Sequence, residues 1–348
     1  MTTLRPRILV VDDSAVVREA LRSILTRAGF EVVVASDPII AQAKMAAARP
    51  DALVLDLELP RMHGLTFLRR IMADPIPVLV CSGSVGPGTE AALEALEEGA
   101  VGIVAKPRLG VKGFLEGSAQ QLVEAVRGAV GARARPRARR AARHAAGAAL
   151  PAPTPRGSAA AARMLAVGAS TGGTEAVRVL LEAMPPGAPG IAVVQHMPEG
   201  FTAAFARRLS QSCRIDVKEA AEGDRLEPGL ALVAPGNRHL TVRREGDRYL
   251  ARILDGPPVS RHRPSVDLLF RTVAQAAGAS AVGIILTGMG DDGADGLLEM
   301  RRAGAFTLAQ DEATSVVFGM PKEAIARGTV DEVLPLPRIP MAVLRWAA

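Results

Sequence analysis

Cysteine is nearly absent from this chain: Cys81 and Cys213 are the only two in 348 residues, one in each half. Both lie beside apolar or strand-like sequence. That scarcity excludes a disulfide framework, and reduced thiols in the cytoplasm are the expected state. No compact His/Cys ligand set stands near the acids, which argues against zinc. Long apolar runs are missing too. The apolar stretches are short and broken by charges and glycines, so no transmembrane span and no membrane insertion are expected. The opening MTTLRPRILVVDD enters a strand at once and lacks a secretory leader pattern, consistent with a cytoplasmic location. Acidic side chains are absent from residues 128–161, where seven arginines stand among alanines and prolines. Taking those seven from the formal charge of +6 leaves −1, so the remainder is nearly neutral. Arginine spaced by alanine and proline, without interleaved aromatics, has the composition of a flexible, solvated linker. Docking or weak polyanion binding is the lesser alternative, and no specific nucleic-acid partner is expected.

A chain of 348 residues exceeds the usual size of one core, so two domains are expected on either side of that linker: 1–127 and 162–348. The first alternates apolar strands (RILVVDD, EVVVAS, DALVLDL, PVLVCSG, GIVAKP) with helical segments at 14–28, 38–48, 64–72, 89–98 and 118–130. Such alternation predicts an α/β fold, a five-stranded parallel sheet with helices on both faces. The second half offers MLAVGAS, GIAVVQH, LALVAPG and AVGIILTG as strands, with helices at 173–184, 200–210, 265–278 and 293–303. It reads as a doubly wound α/β domain. TVRREGDRYLARIL adds a small antiparallel hairpin turning at Glu245-Gly246-Asp247.

Asp12 and Asp13 close the first strand and Asp56 follows the third. Any one acid after a strand is ordinary loop solvation. Three at adjacent strand ends can surround a hard divalent cation, and Mg²⁺ suits oxygen ligands. Ser82 and Lys106 also sit at strand ends, where a hydroxyl can hold a phosphoryl oxygen and an ammonium can pair with its charge. Together these five positions resemble the receiver domain of bacterial two-component response regulators over residues 6–127. The resemblance implies that Asp56 accepts phosphate from a histidine kinase, with Mg²⁺ at Asp12, Asp13 and Asp56. It makes Ser82 the switch hydroxyl and Lys106 the phosphate contact. Three departures stand out: Ile103 where receivers commonly place the switching aromatic, a glycine-rich GSVGPGTEAA after the fourth strand, and His63 for the aspartate usual in PRMDG.

In the second half, MLAVGASTGG places Ser170 just after a buried strand, with small residues where the chain turns into a helix. Nearby N–H groups there favour developing negative charge. Read alone, ASTGG could equally be a phosphate-binding glycine turn. His196, in VVQHMP, and Asp292, in LTGMGDDGADG, fall at the same predicted sheet edge, where ligands of such sheets bind. A serine nucleophile, a histidine base and an orienting carboxylate make an acyl-transfer site. Asp291 is a rival for the carboxylate that local chemistry does not separate, and His239 and His262 are candidates to line the cleft.

ASTGGTEA, QHMP, APGNRHL, HRPSVD and LTGMGDDGADG resemble the bacterial chemotaxis protein-glutamate methylesterase/protein-glutamine glutaminase family. The resemblance covers about residues 163–345, and with the receiver nearly the whole chain apart from the linker. It implies Ser170 as nucleophile, His196 as base and acid, and Asp292 as the orienting acid. Thr171 and Met289 become active-site wall, with the Met289 N–H in the oxyanion hole. The implied substrates are γ-glutamyl methyl esters, and selected glutamines, on methyl-accepting chemoreceptors. A chemotaxis histidine kinase would be the phosphodonor, no cofactor would serve the esterase, and the unphosphorylated receiver would hold catalysis in check. The competing reading is a weakly catalytic or non-catalytic adaptor that binds receptors or kinase.

Overall fold

The computed structural model describes residues 5–83, 88–107, 112–132 and 163–347, without the side chains of 88 and 112–118. From residue 133 on, the stretch read as a linker lies outside the described residues. The chain forms two compact units that divide between Ala146 and Gly147.

In the first unit β1 (Arg7–Val11), β2 (Glu31–Ala35), β3 (Ala52–Leu55), β4 (Val78–Ser82) and β5 (Gly102–Ala105) form one sheet in the order β2-β1-β3-β4-β5. All its pairings are parallel. The helices are α1 (Ala15–Arg27), α2 (Pro38–Ala47), α3 (Gly64–Ile71), α4 (Gly88–Glu98) and α5 (Lys112–Gly131). Strands β3 and β4 are buried throughout, as a parallel sheet covered on both faces requires. Because β1 pairs with β3, the acids that follow them become neighbours. α5 begins earlier than the sequence suggests and runs four residues into the stretch read as linker.

Local capping explains where these helices start. Asp37 accepts from Ile39 N at 2.8 Å and Ile40 N at 3.0 Å, with Pro38 in the first turn of α2. His63 caps α3 by accepting from Leu65 N through Nδ1 at 3.3 Å. A ring nitrogen therefore performs the capping expected of an aspartate, which accounts for that departure structurally.

The second unit holds seven parallel strands: β6 (Met164–Ala169), β7 (Gly190–Gln195), β8 (Asp216–Glu219), β9 (Leu230–Val233), β12 (Ala281–Ile285), β13 (Phe306–Gln310) and β14 (Glu332–Leu334). Their order is β14-β13-β12-β6-β7-β9-β8. β10 (His239–Glu245) and β11 (Arg248–Leu254) pair separately as an antiparallel hairpin, closed by Gly246 at φ 63° and Asp247. The helices are α6 (Gly173–Glu182), α7 (Thr202–Ser212), α8 (Val266–Ala277), α9 (Ala294–Arg302), α10 (Met320–Ala326) and α11 (Ile339–Ala347). Three strands, β8, β13 and β14, carry no clear signal in the sequence. β8 and β14 are short, partly exposed edge strands with charged residues, the form in which natural sheets protect their edges.

Strand order reverses between β6 and β12, so the crevice at their carboxyl ends is the natural ligand site of this sheet. Close packing there needs Gly168: a Cβ would meet Val266 Cγ1 at 2.2 Å. We expect Gly168→Ala to destabilise this unit by about 1–3 kcal/mol, read from the denaturant midpoint, because a packed β-branched side chain must shift. An unchanged midpoint would mean that α8 moves freely against the sheet.

Candidate active site and acidic pocket

Ser170 follows β6, His196 follows β7, and Asp292 lies in the loop between β12 and α9. The first two are tied together at the sheet edge. His196 N donates to Ala169 O at 3.0 Å, and Gln195 Nε2 donates to Ser170 O at 2.9 Å and His196 O at 3.0 Å. Ser170 N in turn donates to Thr287 O at 3.0 Å, beyond β12. A Cβ on Gly288 would come within 2.7 Å of Ser170 Cβ, so only glycine lets that loop pass the serine.

His196 Nε2 lies 2.9 Å from Asp292 Oδ2. An ionised carboxylate only accepts, so Nε2 carries the hydrogen and Nδ1 is the ring nitrogen left for base chemistry. Asp292 is fully buried and sits at the amino end of α8. Its Oδ1 accepts from Ser265 Oγ at 2.8 Å and Asp267 N at 2.9 Å, and its Oδ2 accepts from Val266 N at 2.8 Å. Burial by itself would raise this carboxyl. The bond to His196, the attraction of the His196 and His262 rings when protonated, and the Asp267 N–H together outweigh it and hold the group below its ordinary value. Asp291 faces elsewhere, bound to Arg261 Nη2 at 2.5 Å and Arg327 Nη2 at 3.2 Å. The geometry thus separates two acids that local chemistry alone leaves equivalent.

The two remaining histidines part company. His239 is structural: Nε2 donates to Pro257 O at 3.0 Å and Nδ1 accepts from Ser265 N at 3.3 Å. His262 stacks on His196, with ring centroids 3.8 Å apart and planes within 5°. His196, His262 and Asp292 are close enough to be weighed as a metal cluster. Stacked rings direct their in-plane lone pairs in parallel, however, and Asp292 is already occupied by hydrogen-bond donors. The arrangement suits proton transfer, not coordination.

Thr171 is buried, and its carbonyl accepts from Thr287 Oγ1 at 3.0 Å. Met289 is half-buried beside Gly290, which adopts φ 87°. Residues that the sequence did not single out also build this site. Ser265, Val266 and Asp267 hold the carboxylate. Gln310 Oε1 accepts from Thr287 N at 2.8 Å, steadying the loop that carries Met289. Ser265 was legible as a helix start, but its partner across 27 residues was not.

In the first unit, Asp12 and Asp56 are buried and Asp13 is exposed, with carboxylate oxygens of all three within 4.8 Å of one another. Lys106 Nζ bonds Asp56 Oδ2 at 2.5 Å and lies 3.4 Å from Asp12 Oδ2. Burial raises both buried acids above their ordinary value, despite the opposing pull of Lys106. Lys106 is itself raised: burial would lower it, and the Asp56 bond and charge prevail. Asp12 Oδ2 is buried without a hydrogen-bond partner. Three crowded carboxylates with such an oxygen fit a hard divalent cation. Ser82, at the end of β4, is buried on the same sheet edge. Ile103, in β5, is half-buried. The loop after Ser82 lies largely outside the described residues.

The two units define a receiver sheet joined to a doubly wound α/β domain with serine, histidine and aspartate at its carboxyl edge. The CheB methylesterase family matches residues 165–343, and the response regulator receiver domain family matches residues 8–110. The chain belongs to the CheB methylesterase family and carries a receiver domain. It is 67% identical over 349 residues to protein-glutamate methylesterase/protein-glutamine glutaminase 1 of Anaeromyxobacter dehalogenans, covering 99% of this chain and 100% of that one. To protein-glutamate methylesterase/protein-glutamine glutaminase 2 of Xanthomonas campestris it is 55% identical, covering 94% and 97%. The crystal structure of the Thermotoga maritima CheB methylesterase catalytic domain aligns with TM-score 0.52 and 35% identity, covering 53% of this chain and 97% of that one. Among the described residues, no helix is long and apolar enough to cross a membrane.

Proposed function

We propose that this chain hydrolyses glutamate γ-methyl esters on methyl-accepting chemoreceptors, releasing methanol, and deamidates selected receptor glutamines. The observation that carries the reading is the His196–Asp292 pair at 2.9 Å, on the same sheet edge as Ser170. With Nε2–H held by Asp292, His196 Nδ1 takes the Ser170 proton as Oγ attacks the ester carbonyl. The Met289 N–H receives the negative charge that develops on the carbonyl oxygen, beside the wall formed by Thr171. The imidazolium then gives its proton to the departing methoxide, which leaves as methanol. Water, deprotonated by the same nitrogen, attacks the acyl group, and the returning proton restores Ser170. A glutamine follows the same route with ammonia as the leaving group. No cofactor is required in this scheme.

The division of labour follows the domain reading of 1–127, 128–161 and 162–348. Asp56 accepts phosphate from the chemotaxis histidine kinase. Asp12, Asp13 and Asp56 would hold Mg²⁺, which when bound offsets their mutual repulsion and polarises the incoming phosphoryl group. Lys106, now paired with Asp56, moves its charge to the phosphoryl oxygens, and Ser82 donates to one of them. Phosphorylation raises the esterase rate, and the enzyme works in the cytoplasm at receptor arrays.

The test is methanol release from methylated receptor fragments by the full chain, with and without a small phosphodonor and Mg²⁺. Release by the wild type should rise about tenfold with the phosphodonor, within the usual range of coupling between two sites. Asp56→Asn should retain basal release and lose the rise. A rise of equal size in Asp56→Asn would contradict receiver control. No release from any folded, methylated receptor fragment would overturn the esterase reading.

A further inference from the structure

Four hydrogen-bond donors hold Asp292, His262 Nδ1 lies 3.9 Å from its Oδ2, and the His262 ring stacks on His196. We propose that His262 is a positioning residue, a flat plate that fixes the plane of His196 and so presents Nδ1 to the Ser170 hydroxyl during the reaction. The inference rests on the hydrolase reading above.

The in-plane bond to Asp292 anchors one edge of the His196 ring and by itself does not set the tilt of the ring about that bond. A parallel ring at 3.8 Å closes off the swing on one face. His262 is itself fixed: it is buried, and Nδ1 donates to Ser260 O at 2.7 Å. Its backbone closes a tight turn with Val259, His262 N to Val259 O at 2.9 Å and Val259 N to His262 O at 3.0 Å. The residues between, Ser260 at φ 48° and Arg261 at φ 66°, both adopt left-handed conformations that favour glycine. A non-glycine pair in that conformation persists only where its surroundings hold it. Here the hold comes from Ser260 Oγ, which donates to the buried Asp267 Oδ2 at 2.6 Å, while Asp267 Oδ1 accepts from Gly296 N at 2.7 Å.

Asp267 links the two supports. Its side chain anchors the turn that presents His262, and its backbone N–H donates to Asp292 at 2.9 Å. The amino end of α8 thereby sets the edge and the face of His196 together. The plate also acts during the reaction. When His196 takes the serine proton, its positive charge develops against the π face of His262, an attraction absent in the resting enzyme. Loss of the plate should therefore appear in kcat more than in KM.

The test uses the full chain with phosphodonor and methylated receptor fragments, comparing wild type, Ser170→Ala, His262→Ala and His262→Phe. His262→Ala should lower kcat about 30-fold with KM within about threefold, the size expected when a catalytic group loses its alignment. His262→Phe restores a flat face without the N–H and should recover most of kcat. If His262→Ala does not fold, His262→Leu takes its place, filling volume without a plate, and the same split is expected. The inference is overturned if His262→Ala keeps its kcat, loses activity through KM alone, or performs as well as His262→Phe. Absent wild-type release, or equal release by Ser170→Ala, would overturn the hydrolase reading and this inference with it.

Discussion

Ser170→Ala should abolish methanol release to within the detection limit, a loss of about 10⁴–10⁶-fold in kcat, while the protein folds as the wild type does. Removing Oγ would delete the proposed nucleophile and leave the pair His196–Asp292 without the serine proton to move. The backbone around position 170 is held by main-chain bonds, Ser170 N to Thr287 O and Gly173 N to Ser170 O, which alanine retains. The unfolding midpoint should therefore stay within about 0.5 kcal/mol of the wild type. Receptor binding should persist, since the cleft keeps its shape. A variant that releases methanol at even a hundredth of the wild-type rate would mean that water attacks directly or that another residue is the nucleophile.

Asp292→Asn should combine a large kinetic loss with a large loss of stability. Asp292 accepts four donors: His196 Nε2–H, Ser265 Oγ–H, and the N–H groups of Val266 and Asp267. An asparagine has one accepting oxygen. If that oxygen serves Ser265 and Asp267, the amide N–H₂ is turned toward Val266 N–H and His196. It would then donate to Nε2 and drive the histidine hydrogen onto Nδ1, the nitrogen required as base. A wrong tautomer of this kind costs about 10⁴-fold in serine hydrolases. Leaving Val266 N–H buried without an acceptor adds about 1–3 kcal/mol of destabilisation.

The same carboxylate gives the effect a pH signature. Its folded-state pKa lies below the ordinary 3.8, so its ionised form is favoured by folding. That stability is fully present above the unfolded value and is lost as pH falls through the lower, folded one. The stability gap between wild type and Asp292→Asn should therefore be constant above about pH 5 and narrow as pH falls below the ordinary carboxyl value toward the lower, folded one. A gap that does not narrow in acid would assign the loss to packing and not to charge. Wild-type activity with intact kcat in Asp292→Asn would remove Asp292 from the mechanism.

Much of this was legible in the sequence because its signals are local. Strands such as RILVV and MLAVGA are short, largely apolar runs followed by candidate site residues, and a parallel sheet buries all of them but Arg7. The residues at their ends follow from topology, since β1 beside β3 joins Asp12 to Asp56, and β12 beside β6 brings Asp292 to Ser170. What stayed hidden depends on distant partners. β13 ends in a buried Gln310, whose purpose appears only when it accepts from Thr287. β14 is three residues long and reads as a turn. Local chemistry does not separate Asp291 from Asp292; the structure does so through the arginines that claim the first and the helix end that claims the second. His239 and His262 look alike as histidines near a cleft. One is absorbed by backbone hydrogen bonds, and the other stacks on His196.

The most direct test of a Ser170 acyl-enzyme is to run the basal reaction, without phosphodonor, on a methylated receptor fragment in the presence of hydroxylamine, with an enzyme-free reaction subtracted as background. Mass spectrometry of the receptor then reads the fate of each methylated glutamate. A covalent acyl group on Ser170 should partition between water and hydroxylamine, giving glutamate and glutamyl hydroxamate at the same sites. Both products should vanish together in Ser170→Ala. Glutamate alone at every hydroxylamine concentration, or hydroxamate formed equally by Ser170→Ala, would contradict the account.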